Sequence, residues 1–474
     1  MRARMLYCVK YSNKKAQKMG KEQKRIQVEI TSLGCAKNLV DTEAAAASLM
    51  LHGFGLTPEE KEADVKFINT CAFLAAARAE LEEHLHHAAV WKKRKASTRK
   101  IIVGGCITAW DKDGSFRAAH PEVDLWTSIK TAAELGAMLE DLLCGNVASG
   151  ALCDAGKELD HTVPRLQLTP PHYAHLRVSD GCDNRCTYCK IPDIRGPLKS
   201  RTLDDVLAEA VNLLANGVKE LIVIAQDTAA FGRDLTGKPQ LAELLDELDK
   251  LDGDFLIRLM YLHPASVNDE LIAAMSRCKH LIRCIEMPLQ HISDHILLAM
   301  HRKTGGAATR EVVKKLQNAG FAIRTTFMVG FPGETEEDFA ELLEYVKETK
   351  FTRLGTFTFS AESGVPAAAL PDPVPEKIAQ ERMETLMKAQ AEISLKNNLF
   401  LIGKSVDVIL DEVLTGGKGY GRMFTDAPEI DNIVLIRGLN SRKHAEGDFV
   451  RVLVESATEY EIKGKLINTG AEKA

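Results

Sequence analysis

The chain has 474 residues, 45% of them hydrophobic, with 61 Lys or Arg against 66 Asp or Glu and a formal net charge of −5. That length exceeds one ordinary domain, and that apolar fraction can bury several cores, which excludes an intrinsically disordered chain. A mildly acidic balance excludes a protein held to its partners mainly by phosphates over its whole surface, and no apolar run reaches the length of a membrane-spanning helix.

Residues 1–25 carry nine Lys or Arg and one acid, Glu22, and read as a basic tail without the apolar middle of a secretory signal. Residues 26–148 alternate strands with helices. Ile26–Thr31, Val65–Asn69 and Ile101–Val103 are predicted strands; Thr42–Leu51, Ala75–Val90 and Thr131–Leu143 are predicted helices. This alternation predicts a parallel α/β sandwich. Residues 149–170, irregular and holding Pro164 and Pro170, read as a linker.

Residues 171–400 repeat the rhythm. Predicted strands are His175–Ser179, Glu220–Ala225, Leu256–Leu262, Leu281–Met287, Ala322–Val329 and Arg353–Phe359, with helices such as Leu203–Ala215, Asp269–Arg277, Ser293–Met300 and Glu336–Thr349 between them. Six such units predict a complete or partial (β/α) barrel with its chemistry at the C-terminal strand ends. Lys377–Leu399 reads as a helix. Residues 401–470 change character: Val406–Leu410, Ile433–Ile436, Phe449–Val454 and Glu459–Leu466 are short strands separated by Gly and Asn, the pattern of a small all-β barrel.

Eleven cysteines in a long chain without a signal peptide fit metal or cluster ligation better than a disulfide framework. Cys182, Cys186 and Cys189 form C-x3-C-x2-C directly after the first strand of the barrel region. Three thiolates in one tight loop can hold three irons of a [4Fe–4S] cube and leave the fourth open, and an open position is where a metal centre does chemistry. A structural zinc site would instead pair C-x2-C elements with a fourth Cys or His, and none lies close in sequence. A second set, Cys35, Cys71 and Cys106, stands just past three predicted strands, where the loops of a parallel sheet gather. The alternative for each is a small buried hydrophobe. Cys8, Cys144, Cys153, Cys278 and Cys284 match no motif, and His84, His86 and His87 read as a solvated helix face.

The three-cysteine motif after the first barrel strand resembles that of the radical S-adenosylmethionine enzymes. The elements Gly34–Asn38, Asn69–Cys71 and Gly105–Cys106 before such a region, and a small β-barrel (TRAM) after it, resemble the methylthiotransferases over roughly residues 26–470. The resemblance implies two [4Fe–4S] clusters, on Cys182, Cys186 and Cys189 and on Cys35, Cys71 and Cys106, with S-adenosylmethionine as cofactor. It implies that the first cluster reductively cleaves S-adenosylmethionine to a 5′-deoxyadenosyl radical and that the second carries or donates sulfur. Tyr188, before the third cysteine, is expected near the adenine. Gln226 and Asp227, after the second strand, are expected at the cofactor, Arg324 at its carboxylate and Gly330 beside its adenosine.

Three stretches resemble the RimO-type branch, which modifies the β-carbon of an aspartate in ribosomal protein uS12: Asp193–Leu198 with Ser200 and Arg201, Glu286–His291, and Gly421–Asp431. The alternatives are the branch acting on a tRNA adenosine, or an iron–sulfur ribosome-binding scaffold without turnover. Residues 401–471 hold 11 acids against nine Lys or Arg, a poor surface for RNA. Asp426, Glu429 and Asp431 are expected to form an acidic loop that attracts a basic ribosomal protein. Arg195 reads as a surface charge. The expected partners are uS12 or the small ribosomal subunit and an electron donor such as flavodoxin or ferredoxin, in the cytoplasm and with no membrane.

Overall fold

The computed structural model describes residues 25–153 and 164–467. Cys8 and the basic tail, Arg25 apart, lie outside the described residues. The described chain forms two compact units, one within Met1–Pro170 together with Lys190–Gly196, the other within Pro171–Cys189 and Pro197–Ala474.

The first unit is built on a six-stranded parallel sheet of order β2-β1-β3-β4-β5-β6. Its strands are β1 (Gln27–Ser32), β2 (Gly55–Leu56), β3 (Val65–Thr70), β4 (Lys100–Gly105), β5 (Leu125–Thr127) and β6 (Ala151–Cys153). Successive side chains of a strand face opposite ways, so both faces need cover. Ile101 and Val103 of β4 meet Leu81, Leu85 and Trp91 of helix Ala75–Lys93 on one side. Ile102 meets Ala45 and Leu49 of helix Ala36–Leu51 on the other. Strand β6 falls inside the stretch expected to be a linker. Three residues are too few to show a period, and β6 is defined by its pairing with β5.

The second unit holds a six-stranded, all-parallel sheet of order β14-β13-β12-β11-β10-β7, the predicted (β/α) units in partial-barrel form. The strands are β7 (Tyr173–Arg177), β10 (Glu220–Ile224), β11 (Leu256–Leu259), β12 (Leu281–Glu286), β13 (Ala322–Val329) and β14 (Arg353–Thr358); β8 (Ser179–Asp180) and β9 (Lys199–Ser200) form a separate antiparallel pair. Alternate strand residues such as Ala174, Leu176, Leu221, Val223, Ile257, Leu259, Ile323 and Phe327 enter the core beneath the helices. The intervening positions face the other way. Within the first three residues of their strands they include Tyr173, Glu220, Arg258, Arg324 and Arg353.

A closed five-stranded barrel, β15-β16-β17-β19-β18, ends the unit. Its strands are β15 (Ser405–Leu414), β16 (Lys418–Met423), β17 (Ile433–Arg437), β18 (Phe449–Ala457) and β19 (Glu461–Leu466). Gly419 and Gly421 hide β16 from a hydrophobicity pattern. A Cβ on either would strike the backbone of β15, so glycine lets the two strands close.

Candidate functional site

In the first unit β1, β3 and β4 lie side by side, and each is followed by a cysteine within three residues: Cys35, Cys71 and Cys106. Two glycines let these loops meet. Gly34 has φ +100°, and a Cβ there would lie 2.7 Å from the Cβ of Cys71. Gly105 has φ +96°, and a Cβ there would meet the Asn69 side chain and lie 2.5 Å from the Thr70 carbonyl oxygen. Glycine alone adopts these angles at no steric cost. The asparagines of the two motifs tie the loops together. Asn38 donates to the Leu33 carbonyl at 2.6 Å, and Asn69 donates to the Asn38 carbonyl at 2.9 Å and to Thr42 Oγ1 at 2.8 Å.

Cys71 and Cys106 are hydrogen-bonded to each other. That bond pulls the Cys71 thiol down to about 7 against its burial, helped by the Phe73 N–H at 3.4 Å. The same bond and burial push Cys106 well above its usual range. Arg195 also reaches this set. Its Nη2 is 3.7 Å from Cys106 Sγ and 2.8 Å from Asp41 Oδ2, and its side chain is only 2% exposed. The sequence expectation of a surface charge is thereby corrected. Arg195 ends the short helix Ile191–Arg195, whose Ile194 packs in the first unit's core, so the residue is drawn inward.

In the second unit the loop Gly181–Cys189 follows β7 at the C-terminal end of the sheet. Asn184, between the first two cysteines, donates to Asp227 Oδ2 at 2.9 Å. Thr187 Oγ1 donates to the Ala299 carbonyl at 2.8 Å, and the Thr187 N–H to the Met300 carbonyl at 3.1 Å. The Cys189 N–H donates to the Cys186 carbonyl at 3.0 Å, closing the C-x2-C turn. Burial pushes the Cys182 thiol up. Tyr188 packs on Ile296, Met300, Met328 and Phe331, and Arg302 donates to its hydroxyl at 3.3 Å. Arg302 is also hydrogen-bonded to Cys186.

Asp227 anchors this loop. Its carboxylate also accepts from Ser266 Oγ at 3.1 Å and from the His263 N–H at 3.3 Å. Burial raises its pKa while these donors pull it back. Gln226 donates to Asp180 beside the loop, and its Oε1 is buried without a hydrogen bond among the described residues. The Gly330 N–H is taken by the Glu334 carboxylate, and a Cβ at Gly330 would strike that of Ala379.

Four of the expected residues are placed differently. Arg324 stands on the third residue of β13, roughly 16 Å before the strand's C-terminal end at the usual rise per residue. Its guanidinium is committed to Glu286 at 2.7 Å and Asp431 at 3.1 Å, so it is not aimed at a cofactor carboxylate. Asp426 is fully buried and bonds Arg353 at 2.7 Å, and Asp431 bonds Arg324. Glu429 accepts from the Tyr173 hydroxyl at 2.6 Å. The loop is therefore no free acidic surface: it caps the N-terminal ends of the sheet strands, Asp426 and Asp431 met by arginines there and Glu429 by the Tyr173 hydroxyl. The missed signal was those arginines, charged residues inside otherwise apolar strands. Glu220 completes the arrangement, fully buried between Arg258 and Arg422. Burial alone would raise its carboxyl, but the two guanidinium groups hold it at about 2.

The donors fit iron–sulfur ligation. Each set is all thiol, the ligand class of such clusters, and Gly34 and Gly105 let the first unit's loops approach closely where a Cβ would strike Cys71 or Thr70. Among the described residues no three His, Cys, Asp or Glu side chains converge to hold a single metal ion. No helix among them is long and apolar enough to cross a membrane.

Known families and structures resemble the chain throughout. The family described as Radical SAM superfamily matches residues 176–346, Uncharacterized protein family UPF0004 matches 27–128, and TRAM domain matches 402–467. The ribosomal protein uS12 methylthiotransferase RimO of Pelotomaculum thermopropionicum is 40% identical over 449 residues, 93% of this chain and 99% of that protein. The protein of the same name from Elusimicrobium minutum is 40% identical, over 92% of this chain and 98% of its own. That of Clostridioides difficile is 38% identical, over 93% and 99%. The radical S-adenosylmethionine methyltransferase TsrM of Kitasatospora setae shares the fold, with a TM-score of 0.54 at 14% identity over 70% of this chain and 72% of that one.

Proposed function

The chain belongs to the RimO family of ribosomal protein uS12 methylthiotransferases, and from that premise we propose that it adds a methylthio group to the β-carbon of an aspartate in uS12. It is a transferase of the radical S-adenosylmethionine class. The observation that carries the reading is the placement of Cys35, Cys71 and Cys106 just past the ends of three adjacent strands, in a chain that also holds the C-x3-C-x2-C loop. One thiol set serves a radical reaction; a second is what sulfur insertion adds.

When bound, a [4Fe–4S] cluster on Cys182, Cys186 and Cys189 would supply the electron that splits S-adenosylmethionine, and one on Cys35, Cys71 and Cys106 would supply a seat for sulfur. The chain's own groups prepare the site. Asp227 fixes the loop through Asn184. Ile296, Met300, Met328 and Phe331 pack against Tyr188 and so hold the C-x2-C turn in place. The buried Gln226 Oε1 offers an acceptor to a donor group of the cofactor. The electron donor is of the flavodoxin or ferredoxin class, and the setting is cytoplasmic.

Reconstituted protein, S-adenosylmethionine and a reductant, incubated separately with uS12 and with bare tRNA, test the reading by mass spectrometry. A methylthio gain on one uS12 aspartate is expected. Modified tRNA with untouched uS12 would overturn the assignment.

A further inference from the structure

A buried ion pair needs a reason. Arg195 and Asp41 are each only 2% exposed at the side chain, and desolvating both charges costs more than a simple pair commonly returns. Arg195 has other partners. The same Nη2 that meets Asp41 lies 3.7 Å from Cys106 Sγ and 3.5 Å from Asn38 Oδ1. Asn38 in turn accepts, through its carbonyl, the amide of Asn69, two residues before Cys71. The guanidinium is thus fastened into the network that gathers the first unit's three cysteines.

The route by which Arg195 arrives is specific. It stands six residues after Cys189, and the chain enters the first unit at Lys190, immediately after the last cysteine of the other set. The helix Ile191–Arg195 anchors there through Ile194 and stops at Gly196, with φ +84°. A five-residue helix with one buried apolar anchor and one buried cation delivers that cation to a defined place.

We propose that Arg195 is the positioning and charge-compensating residue of the Cys35–Cys71–Cys106 site, with Asp41 setting how much of its charge that site receives. The inference rests on the reading that these thiols hold a cluster. Three thiolates outweigh the positive charge of the iron–sulfur core, so the assembly is anionic and becomes more so on reduction. A guanidinium donating to one sulfur stabilises the reduced form more than the oxidised form and raises the reduction potential. It also favours an anionic sulfur ligand at the open iron. The Asp41 carboxylate opposes both effects.

The test uses full-length protein with Cys182, Cys186 and Cys189 changed to Ala, so that only the first unit's site loads iron. Its midpoint potential is read by anaerobic titration monitored by electron paramagnetic resonance. Arg195→Gln is expected to lower the potential and Asp41→Asn to raise it, with Arg195→Lys between Arg195→Gln and the parent. Opposite signs identify charge; a mere strut would give no shift, or the same shift for both, and either result would overturn the proposal. Should Arg195→Gln load no iron, Asp41→Asn decides alone: an unchanged or lowered potential sinks the idea. Absence of iron from the triple-Ala parent would sink the cluster reading itself, an outcome distinct from a loaded parent whose potential ignores Arg195.

Discussion

Asn184 donates its side-chain N–H to Asp227 Oδ2 at 2.9 Å, joining the middle of the C-x3-C loop to the residues after the second barrel strand. Both Asp227 oxygens accept only, from Asn184, Ser266 and the His263 N–H. An amide at this position would turn one acceptor into a donor facing donors.

Asp227→Asn is therefore expected to keep the fold and lower 5′-deoxyadenosine release from S-adenosylmethionine about 10–100-fold, the usual consequence of losing an outer-shell partner. Anaerobic release after reduction, scored per iron bound, measures this. An unchanged rate would remove Asp227 from its positioning role.

Separate sites predict separate losses. Changing Cys182, Cys186 and Cys189 together to Ala should remove about half the iron and abolish S-adenosylmethionine cleavage, leaving a spectroscopically visible cluster on the other set. Loss of all the iron would argue against two independent sites.

The close loop approach in the first unit predicts a converse effect. Gly34→Ala or Gly105→Ala places a Cβ against Cys71 or Thr70 at a positive φ. Each should cost about 1–3 kcal/mol and lower iron toward half, with cleavage of S-adenosylmethionine retained. Iron content and far-ultraviolet circular dichroism separate lost loading from lost fold.

Glu220 predicts an acid limb in stability. Its pKa of about 2 in the folded protein lies below the ordinary 4.5, so the native state binds fewer protons than the unfolded chain between those values. The stability it contributes is complete above pH 4.5 and is lost as pH falls toward 2. Asp426 works in reverse. Burial lifts it to about 6 despite Arg353, so its contribution is present below 3.8 and fades as pH rises through 6. Glu220→Gln should destabilise by about 3–5 kcal/mol at neutral pH and flatten the acid limb, as urea denaturation across pH would show.

Much of this was legible in the sequence because local signals agreed. Thr335 and Asp338 form a capping box, and the predicted helix Glu336–Thr349 has those bounds in the structure. The six barrel strands announced themselves through β-branched and apolar runs. What escaped depended on partners distant in sequence. Arg195 looks like any helix-end arginine until Asp41 and Cys106 stand beside it. Asp426 and Asp431 look like a solvated acidic turn until Arg353 and Arg324 meet them. Charge composition counts residues; it does not say which are already neutralised.

The ion pairs beneath the sheet bear on how this chain can be divided. A fragment ending at Leu399 would keep every strand of the sheet, yet Arg353 would lose Asp426, Arg324 would lose Asp431, and Glu220 would lose Arg422. Uncompensated charge would then sit where closed packing had been. The terminal β-barrel is in that sense a stopper for the sheet's lower end, and a truncation meant to free the radical domain would instead flood its base with solvent.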